Sequence, residues 1–150
     1  MLEIRHAKPC DSPLIVEFQI NMAIEAEQLA LNHEVVKAGV EAVFEDSSKG
    51  TYWVALLDGS IVGCLLVVPE WSDWRSATIL WIHSVFVVRS ARRKGIFSTL
   101  FKHLKHTVAN STEFAGLRLY VDKSNITAQQ TYESLSMSRD HYYLYEWLKE

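Results

Sequence analysis

Four cationic side chains and a glycine stand together in one short stretch of the sequence, a grouping that suits an anion. Arg89, Arg92, Arg93 and Lys94 precede Gly95. The first backbone N–H groups of a helix lack intrahelical partners, so a helix beginning after this glycine would direct donors at a phosphate. The cations could hold further negative charge. The stretch therefore suits a diphosphate, although four cations can also form a solvated turn.

The flanking residues have the patterns of the strand and the helix that such a site needs. Residues 85–88 form an apolar, mostly β-branched run that is typical of a strand. After Gly95, apolar residues recur every fourth position, as they do on one face of a helix. The sequence thus predicts a strand, a basic turn, a glycine and a helix. The recurring residues are Ile96, Leu100, Leu104 and Val108.

This segment resembles motif A of the GNAT superfamily of N-acetyltransferases, in which Arg/Gln-x-x-Gly-x-Gly/Ala opens a helix that grips the acyl-CoA diphosphate. Arg92, Gly95 and Phe97 occupy the three signature positions, and Phe97 departs from the small residue usual there. The resemblance implies that acetyl-CoA binds at the turn and at the first residues of the helix. Those residues are Arg92, Arg93, Lys94, Gly95, Ile96, Phe97 and Ser98.

A second stretch, nearer the C-terminus, resembles motif B of the same family. Asn125, Ala128 and Tyr132 have the spacing of that motif, whereas Ser136 and Met137 stand where the family has Gly-Phe. The resemblance implies that Asn125 and Ala128 belong to the cofactor site. It also implies that Tyr132 is the acid that protonates the leaving thiolate. Packing of a half-buried helix tyrosine is the alternative role.

Acetyl transfer to an amine requires a base and an oxyanion donor. An alkyl amine has a pKa of about 10, so a proton must be removed before attack. Several related enzymes have a Glu where this chain has His83, and a histidine pKa of about 6.5 suits the same task. A hydrogen-bonded structural histidine is the alternative. The resemblance further implies a bulge that frees backbone donors at Val85, Phe86 and Val87 for the thioester carbonyl and the pantetheine amides.

The acceptor amine calls for acidic or aromatic side chains. In the predicted loop from Glu70 to Arg75, Trp71 and Trp74 offer aromatic faces and Asp73 offers a carboxylate, a set that suits an ammonium group. An aromatic loop that covers the sheet edge is the alternative. Glu25, in the first helix region that lines acceptors in this superfamily, is a weaker candidate because most helix glutamates are solvated.

The length, composition and net charge of the chain limit the classes of protein to which it can belong. With 150 residues, of which 49% are hydrophobic and 22% charged, residues 1–150 are expected to form one globular domain. The net charge of −3 argues against a nucleic-acid binder. Acidic residues dominate residues 1–76 and basic residues dominate residues 77–150. This division suits a cationic acceptor and an anionic cofactor.

Location and metal content follow from simpler features of the sequence. The apolar runs are too short to cross a membrane as a helix. The chain has two cysteines and begins MLEIRHAK, without an apolar signal region, which favours a cytoplasmic protein. The histidines and cysteines do not have the spacing of metal ligands, so no metal is expected.

The apolar pattern predicts the element order β-α-α-β-β-β-α-β-α-β, which is also what the family resemblance implies. This is an α/β (α+β) fold in which about four helices flank a mixed, mostly antiparallel sheet. Asp58-Gly59 predicts a tight hairpin, and Pro69 predicts the end of its second strand. The predicted strands are Leu2 to His6, Thr51 to Leu57, Ser60 to Val68, Thr78 to Val88, Leu117 to Val121 and His141 to Trp147, with helices at Pro13 to Gln28, Glu34 to Phe44, after Gly95 and after Asn125.

These expectations describe an N-acetyltransferase that moves an acetyl group from acetyl-CoA to the primary amine of a small molecule by direct transfer in a ternary complex. A non-catalytic acyl-CoA-binding or regulatory module is one alternative, motivated by Phe97 and by the histidine at position 83. A protein or peptide N-acetyltransferase is another. A homodimer is a further candidate, because the predicted last strand would present one aromatic face. That face comprises His141, Tyr143, Tyr145 and Trp147.

Overall fold

The computed structural model describes all 150 residues, which group into two compact units, Met1–Arg118 and Leu119–Glu150. The first unit contains a five-stranded sheet and three α-helices, and the second contains one α-helix. The strands are β1 (Leu2–His6), β2 (Thr51–Leu57), β3 (Ser60–Ser72), β4 (Ala77–Val87) and β5 (Phe114–Arg118). The helices are α1 (Ser12–Glu27), α2 (His33–Glu45), α3 (Ile96–Ala109) and α4 (Ile126–Ser134).

The sheet is mixed and mostly antiparallel, which confirms the predicted fold class. Its strands lie in the order β1-β2-β3-β4-β5, with β1 to β4 antiparallel and β5 parallel to β4. Parallel neighbours need a crossover connection, and α3 supplies it. The predicted hairpin is confirmed: Asp58 and Gly59 have φ of 51° and 83°, as a type I′ turn requires.

Helices cover both faces of this sheet. On one face, α1 and α2 pack against a buried cluster that includes Phe18, Tyr52 and Phe86. Trp53, which faces the other way because it follows Tyr52 in the strand, lies 4.8 Å from the His103 ring of α3. The helical pattern predicted for α3 is confirmed by its buried residues, which are Ile96, Leu100, Phe101 and Leu104.

Pro69 does not end β3, contrary to the prediction. The strand continues to Ser72, paired with β4, whereas its pairing with β2 ends at Val67. Beyond Val67, β3 has a neighbour on one side only, and proline is tolerated at such an edge. The predicted loop from Glu70 to Arg75 is therefore the end of a long hairpin, with residues 73–76 forming the turn.

Two further strand predictions need correction. The strand predicted at Leu117 to Val121 lies three residues earlier, because pairing with β4 sets its limits. No strand forms at His141 to Trp147. Aromatic residues favour strands mainly by packing on a half-buried pleated surface, and composition alone does not supply a pairing partner. The large apolar residues of this segment are instead exposed to solvent, by 59% to 90%. They are Tyr142, Tyr143, Leu144, Tyr145, Trp147 and Leu148.

None of the helices combines the length and the apolar character needed to cross a membrane.

Candidate active site

Strand β4 contains one more residue than its partner at the end that precedes the basic turn. Cys64 pairs with Phe86, but Leu66 pairs with His83, so β4 has an extra residue between these two pairs. Ser84 lies there with φ of 52°, in the left-handed region. These observations define a β-bulge, whose extra residue is left out of the regular ladder. The bulge that the family resemblance implied for this strand is therefore present.

The bulge decides which face of the sheet His83 occupies. Residues three apart lie on opposite faces of a regular strand, but the extra residue places His83 and Phe86 on the same face. Phe86 packs against Phe18 of α1, with ring centroids 5.0 Å apart. His83 therefore shares the face that carries α1, where it stacks beside Trp81 at 6.3 Å. Burial lowers the pKa of His83, so its imidazole is neutral and able to accept a proton at neutral pH.

The basic turn leads from β4 to an open helix start. A short 3-10 turn at Arg89–Ala91 is followed by Arg93 and Gly95 in left-handed conformations, with φ of 62° and 73°. Helix α3 then begins at Ile96 without a side-chain cap on its first N–H groups. A Cβ added to Gly95 would meet nothing within 4 Å. An uncapped helix start with open space before it fits the diphosphate expected there.

The large residue at the third signature position packs within its own helix. The Phe97 ring is partly buried and lies 6.2 Å from the ring of Phe101, one turn further along α3. Ser98 beside it is also partly buried, whereas Arg93 and Lys94 are exposed. Phe97, although larger than the residue usual at this position, therefore does not disturb the first turn of α3.

Arg92 does not extend into solvent but folds back over the end of β4. Its Nε donates to the Val87 carbonyl at 2.8 Å, and its guanidinium lies 5.6 Å from the centre of the Phe86 ring. Its Nη2 lies 2.5 Å from Oε2 of Glu25, and the Nε of Arg89 lies 3.0 Å from the other oxygen of that carboxylate. Hydrogen bonds from Arg92 and Arg89 hold the pKa of Glu25 below its ordinary value.

A cavity of about 290 Å³ lies beside this ion pair. Pockets for small molecules begin at roughly 300 Å³, so its size suits a small ligand or part of a larger one. Three elements converge on it: α1, the bulged end of β4 and the basic turn. The lining residues are Met22, Glu25, Ala26, Val85, Phe86, Val87 and Arg92.

In the second unit, the motif B residues form a helix with two well-defined ends. Asn125 caps α4, because its Oδ1 accepts a hydrogen bond from the N–H of Ala128 at 3.1 Å. At the other end, Ser136 has φ of 67°, and the N–H of Met137 donates to the Tyr132 carbonyl at 3.1 Å, as in a Schellman motif. Ser136 thus adopts the conformation that favours the family's glycine. Burial raises the pKa of Tyr132, which keeps the phenol protonated, as a general acid requires.

The decisive comparison is with a family model. The model of the acetyltransferase (GNAT) family matches residues 20–137. This chain belongs to the GNAT acetyltransferase family. The match spans most of the chain and both motifs, which confirms the recognition made from the sequence, and it supports an acetyltransferase enzyme rather than a non-catalytic module. GNAT members generally use acetyl-CoA, which the open start of α3 fits.

Solved structures agree with the GNAT assignment. A possible acetyltransferase from Clostridium difficile 630 is 41% identical, over 100% of this chain and 99% of that chain, with a TM-score of 0.93. A ribosomal-protein-alanine N-acetyltransferase from Brucella melitensis biovar Abortus 2308 shares the fold at 15% identity, 99% and 100% coverage and a TM-score of 0.81. An aminoglycoside acetyltransferase from an uncultured soil metagenomic sample shares it at 20% identity, 99% and 97% coverage and a TM-score of 0.77. No match was found among the curated proteins.

The other predicted acceptor residues of this GNAT protein lie at the opposite end of β4. Trp71 pairs with Thr78, and Asp73 and Trp74 belong to the hairpin turn. The side chains of Trp71 and Trp74 are 65% and 90% exposed. Because a strand rises by about 3.3 Å per residue, Thr78 and Val85 lie roughly 20 Å apart along β4. The structure therefore brings Glu25 to the cavity but does not bring these three residues to it.

The two cysteines of this GNAT protein are free and differ in burial. Burial raises the pKa of the Cys64 thiol to about 12, so it stays protonated and is a poor nucleophile. Cys10 is an exposed free thiol. No group of three or more His, Cys, Asp or Glu side chains could hold a metal ion.

Sequence reasoning missed the contact between Glu25 and the basic turn. The two segments are distant in the sequence, and no local pattern pairs a helix glutamate with a particular arginine. The spacing of Met22, Glu25 and Ala26 places them on one side of α1, which is the only local signal that they could line a common wall.

Proposed function

We propose that this GNAT acetyltransferase transfers the acetyl group of acetyl-CoA directly to the primary amine of a small cationic molecule. The convergence of Glu25, the bulged end of β4 and Arg92 of the basic turn around one cavity carries the proposal, together with the uncapped start of α3 that follows this turn. Structures of the same fold include an aminoglycoside acetyltransferase and a ribosomal-protein-alanine N-acetyltransferase, so the fold alone does not select the acceptor. The size of the cavity and the acidic Glu25 favour a small amine.

Acetyl-CoA supplies an acetyl group activated as a thioester. The N–H groups at the start of α3 would bind its diphosphate, and exposed Arg93 and Lys94 would add positive charge. Backbone N–H groups of residues 85–87 would donate to the thioester carbonyl and the pantetheine amides. Asn125 and Ala128 are proposed to contact the cofactor on the basis of the motif B resemblance.

The proposed transfer uses two proton-handling residues. His83 accepts a proton from the acceptor ammonium, directly or through water, as the lowered pKa of its imidazole allows. The amine nitrogen forms a bond to the acetyl carbon, and the bond from that carbon to sulfur breaks. Tyr132 donates its phenolic proton to the departing sulfur. The acetylated nitrogen then loses its second proton, which returns the Tyr132 phenolate to the phenol, and His83 releases its proton to solvent.

The test is a free-thiol release assay with acetyl-CoA and a panel of amines, after calorimetry has measured CoA binding. The panel contains polyamines, amino sugars, amino acids and peptides with free N-termini. We expect CoA to bind and thiol to be released with at least one small cationic amine. Thiol release with peptides alone would mean that the acceptor is a peptide and not a small molecule. CoA binding without thiol release on any amine would overturn the proposed transfer.

The role of Tyr132 has its own test. Tyr132→Phe removes only the phenolic hydroxyl, so we expect turnover to fall by about 100-fold, the scale of general acid catalysis. CoA affinity should stay within about twofold, because the cofactor contacts are unaffected. Tyr145→Phe is the matched control, since Tyr145 is 90% exposed. Full turnover in Tyr132→Phe would remove this residue from the mechanism.

We also propose that two copies of the chain associate through the C-terminal segment, residues 141–148. Its six exposed large apolar side chains motivate this proposal, because such patches mark interaction sites. Light scattering coupled to gel filtration should give twice the chain mass of 17.2 kDa. A truncation after Asp140 should shift the protein to the monomer. A full-length protein that stays monomeric across the concentration range would contradict the homodimer.

A further inference from the structure

Glu25 connects α1 to the basic turn through both of its carboxylate oxygens. Oε1 lies 3.0 Å from Arg89 Nε and Oε2 lies 2.5 Å from Arg92 Nη2. The Glu25 side chain is only 26% exposed, compared with 41% for Arg92 and 79% for Arg89. A partly enclosed carboxylate therefore holds two of the four cations that precede α3.

We propose that Glu25 is an internal counter-ion that acetyl-CoA displaces, and that the freed carboxylate then binds the ammonium group of the acceptor. The inference rests on the proposed function and adds a coupling between its two substrates. In the free enzyme, Arg89 and Arg92 neutralise Glu25. In the complex with acetyl-CoA, the diphosphate takes over these arginines.

The first step, displacement of Glu25, follows from competition between its carboxylate and the diphosphate for Arg92. Its Nε is already committed to the Val87 carbonyl at 2.8 Å, and its Nη2 to Glu25 at 2.5 Å. A bidentate guanidinium–phosphate contact needs two neighbouring donors of the same fork. Because Nε is engaged, the fork that the diphosphate can use is formed by Nη1 and Nη2, so the diphosphate competes with Glu25 for Nη2.

The second step, binding of the acceptor ammonium by Glu25, follows from electrostatic repulsion between its carboxylate and the bound diphosphate. A diphosphate at the start of α3 and the Glu25 carboxylate are both negative and would share the same arginines. Charges within about 10 Å interact at ordinary ionic strength, so the bound cofactor leaves Glu25 in need of another cation. Glu25 lines the cavity together with the bulged end of β4. An acceptor ammonium in that cavity is the cation placed to replace the arginines.

This arrangement makes binding of the two substrates cooperative. CoA should raise the affinity for the amine, and by thermodynamic linkage the amine should raise the affinity for CoA by the same factor. Couplings of this kind are typically about 5- to 150-fold.

Calorimetric titration of CoA into the wild type, Glu25→Gln and Glu27→Gln tests the inference. Removing the competing carboxylate should tighten CoA binding by about fivefold in Glu25→Gln, the lower end of typical couplings. Glu27→Gln is the control for net charge, since it removes one negative charge from an exposed side chain two residues along α1. We expect its CoA affinity to stay within about twofold of the wild-type value.

A second titration uses the amine that gives the fastest thiol release, with and without saturating CoA. CoA should tighten amine binding in the wild type and have no such effect in Glu25→Gln. Equal CoA affinity in the wild type and Glu25→Gln, or weaker binding in the variant, would overturn the counter-ion role while leaving the acetyltransferase intact. Failure of the wild type to bind CoA would instead contradict the proposed function itself. Glu25→Ala serves as the second variant should Glu25→Gln not fold.

Discussion

The two ends of β4 present similar side chains in different surroundings. At the bulged end, Glu25 lines a cavity formed by α1, the strand and the basic turn, and His83 lies on the same face of β4 as Phe86, which also lines this cavity. At the hairpin end, Trp71, Asp73 and Trp74 extend from a single pair of strands. Both ends offer carboxylates and aromatic rings to an ammonium group. Only at the bulged end do side chains from separate elements line a common pocket.

The carboxylates at the two ends also have different partners. Glu25 pairs with two arginines of another element. Asp73 accepts a hydrogen bond from the N–H of its neighbour Trp74 at 3.0 Å, a contact that shapes the turn. The carboxylate of Glu70, also on the hairpin, accepts from Trp81 Nε1 and from an arginine of β5, both at 3.1 Å. Acidic groups at the hairpin end therefore stabilise local structure, whereas Glu25 contacts the predicted cofactor turn.

The largest expected effect comes from His83 at the bulged end. His83→Gln keeps a polar side chain but cannot act as a base, so turnover should fall by about 100-fold with little change in CoA affinity. The wild-type rate should fall as pH drops through the lowered pKa of His83, because a protonated imidazole cannot accept the proton. Rate measurements across pH check this: the variant should lack that acidic limb. His106→Gln on α3 is the control, and an unchanged rate and pH profile in His83→Gln would assign His83 a structural role.

A smaller effect is expected from the glycine that precedes α3. Gly95→Ala and Gly59→Ala both place a Cβ at positive φ, 73° and 83°, and neither Cβ would meet an atom within 4 Å. Each variant should therefore lose about 1 kcal/mol of unfolding free energy. Only Gly95→Ala should weaken CoA binding, by about tenfold, because its methyl group enters the space before the helix start. Denaturant melts and calorimetry measure the two effects, and equal CoA affinity in both variants would move the diphosphate away from α3.

The smallest effect is expected at the hairpin end. Asp73→Asn and Trp74→Ala change side chains roughly 20 Å along the strand from the bulge. Their KM for the amine should stay within about twofold of the wild-type value in the thiol-release assay. A tenfold rise in either variant would restore these residues to the acceptor site and would remove the distinction between the two ends of β4.

Features that depend on neighbours in the sequence could be predicted. The Asp58-Gly59 hairpin, the amphipathic α3 and the helix after Asn125 all depend on contacts within a few residues. The spacing of Arg92 and Gly95 likewise placed a basic turn before a helix. Such features can be predicted from the sequence because turn chemistry, periodicity and capping act over a few residues along the chain.

Features that depend on pairing between distant strands could not be predicted in this way. The passage of β3 through Pro69 depends on where β2 stops, and the limits of β5 depend on its register with β4. The aromatic residues 141–147 have strand-like composition but form no strand, because composition does not supply a partner.

The sequence by itself determined the residues that are proposed to take part in the chemistry: the basic turn and glycine before α3, the histidine at position 83 and the tyrosine at position 132. The tertiary structure alone decided where they lie and which groups they contact. One extra residue in β4 places His83 on the face that carries α1, and packing of α1 beside the basic turn joins Glu25 to Arg92. The reason is physical: strand register and contacts between helices depend on the packing of segments far apart in the chain, which no local pattern encodes.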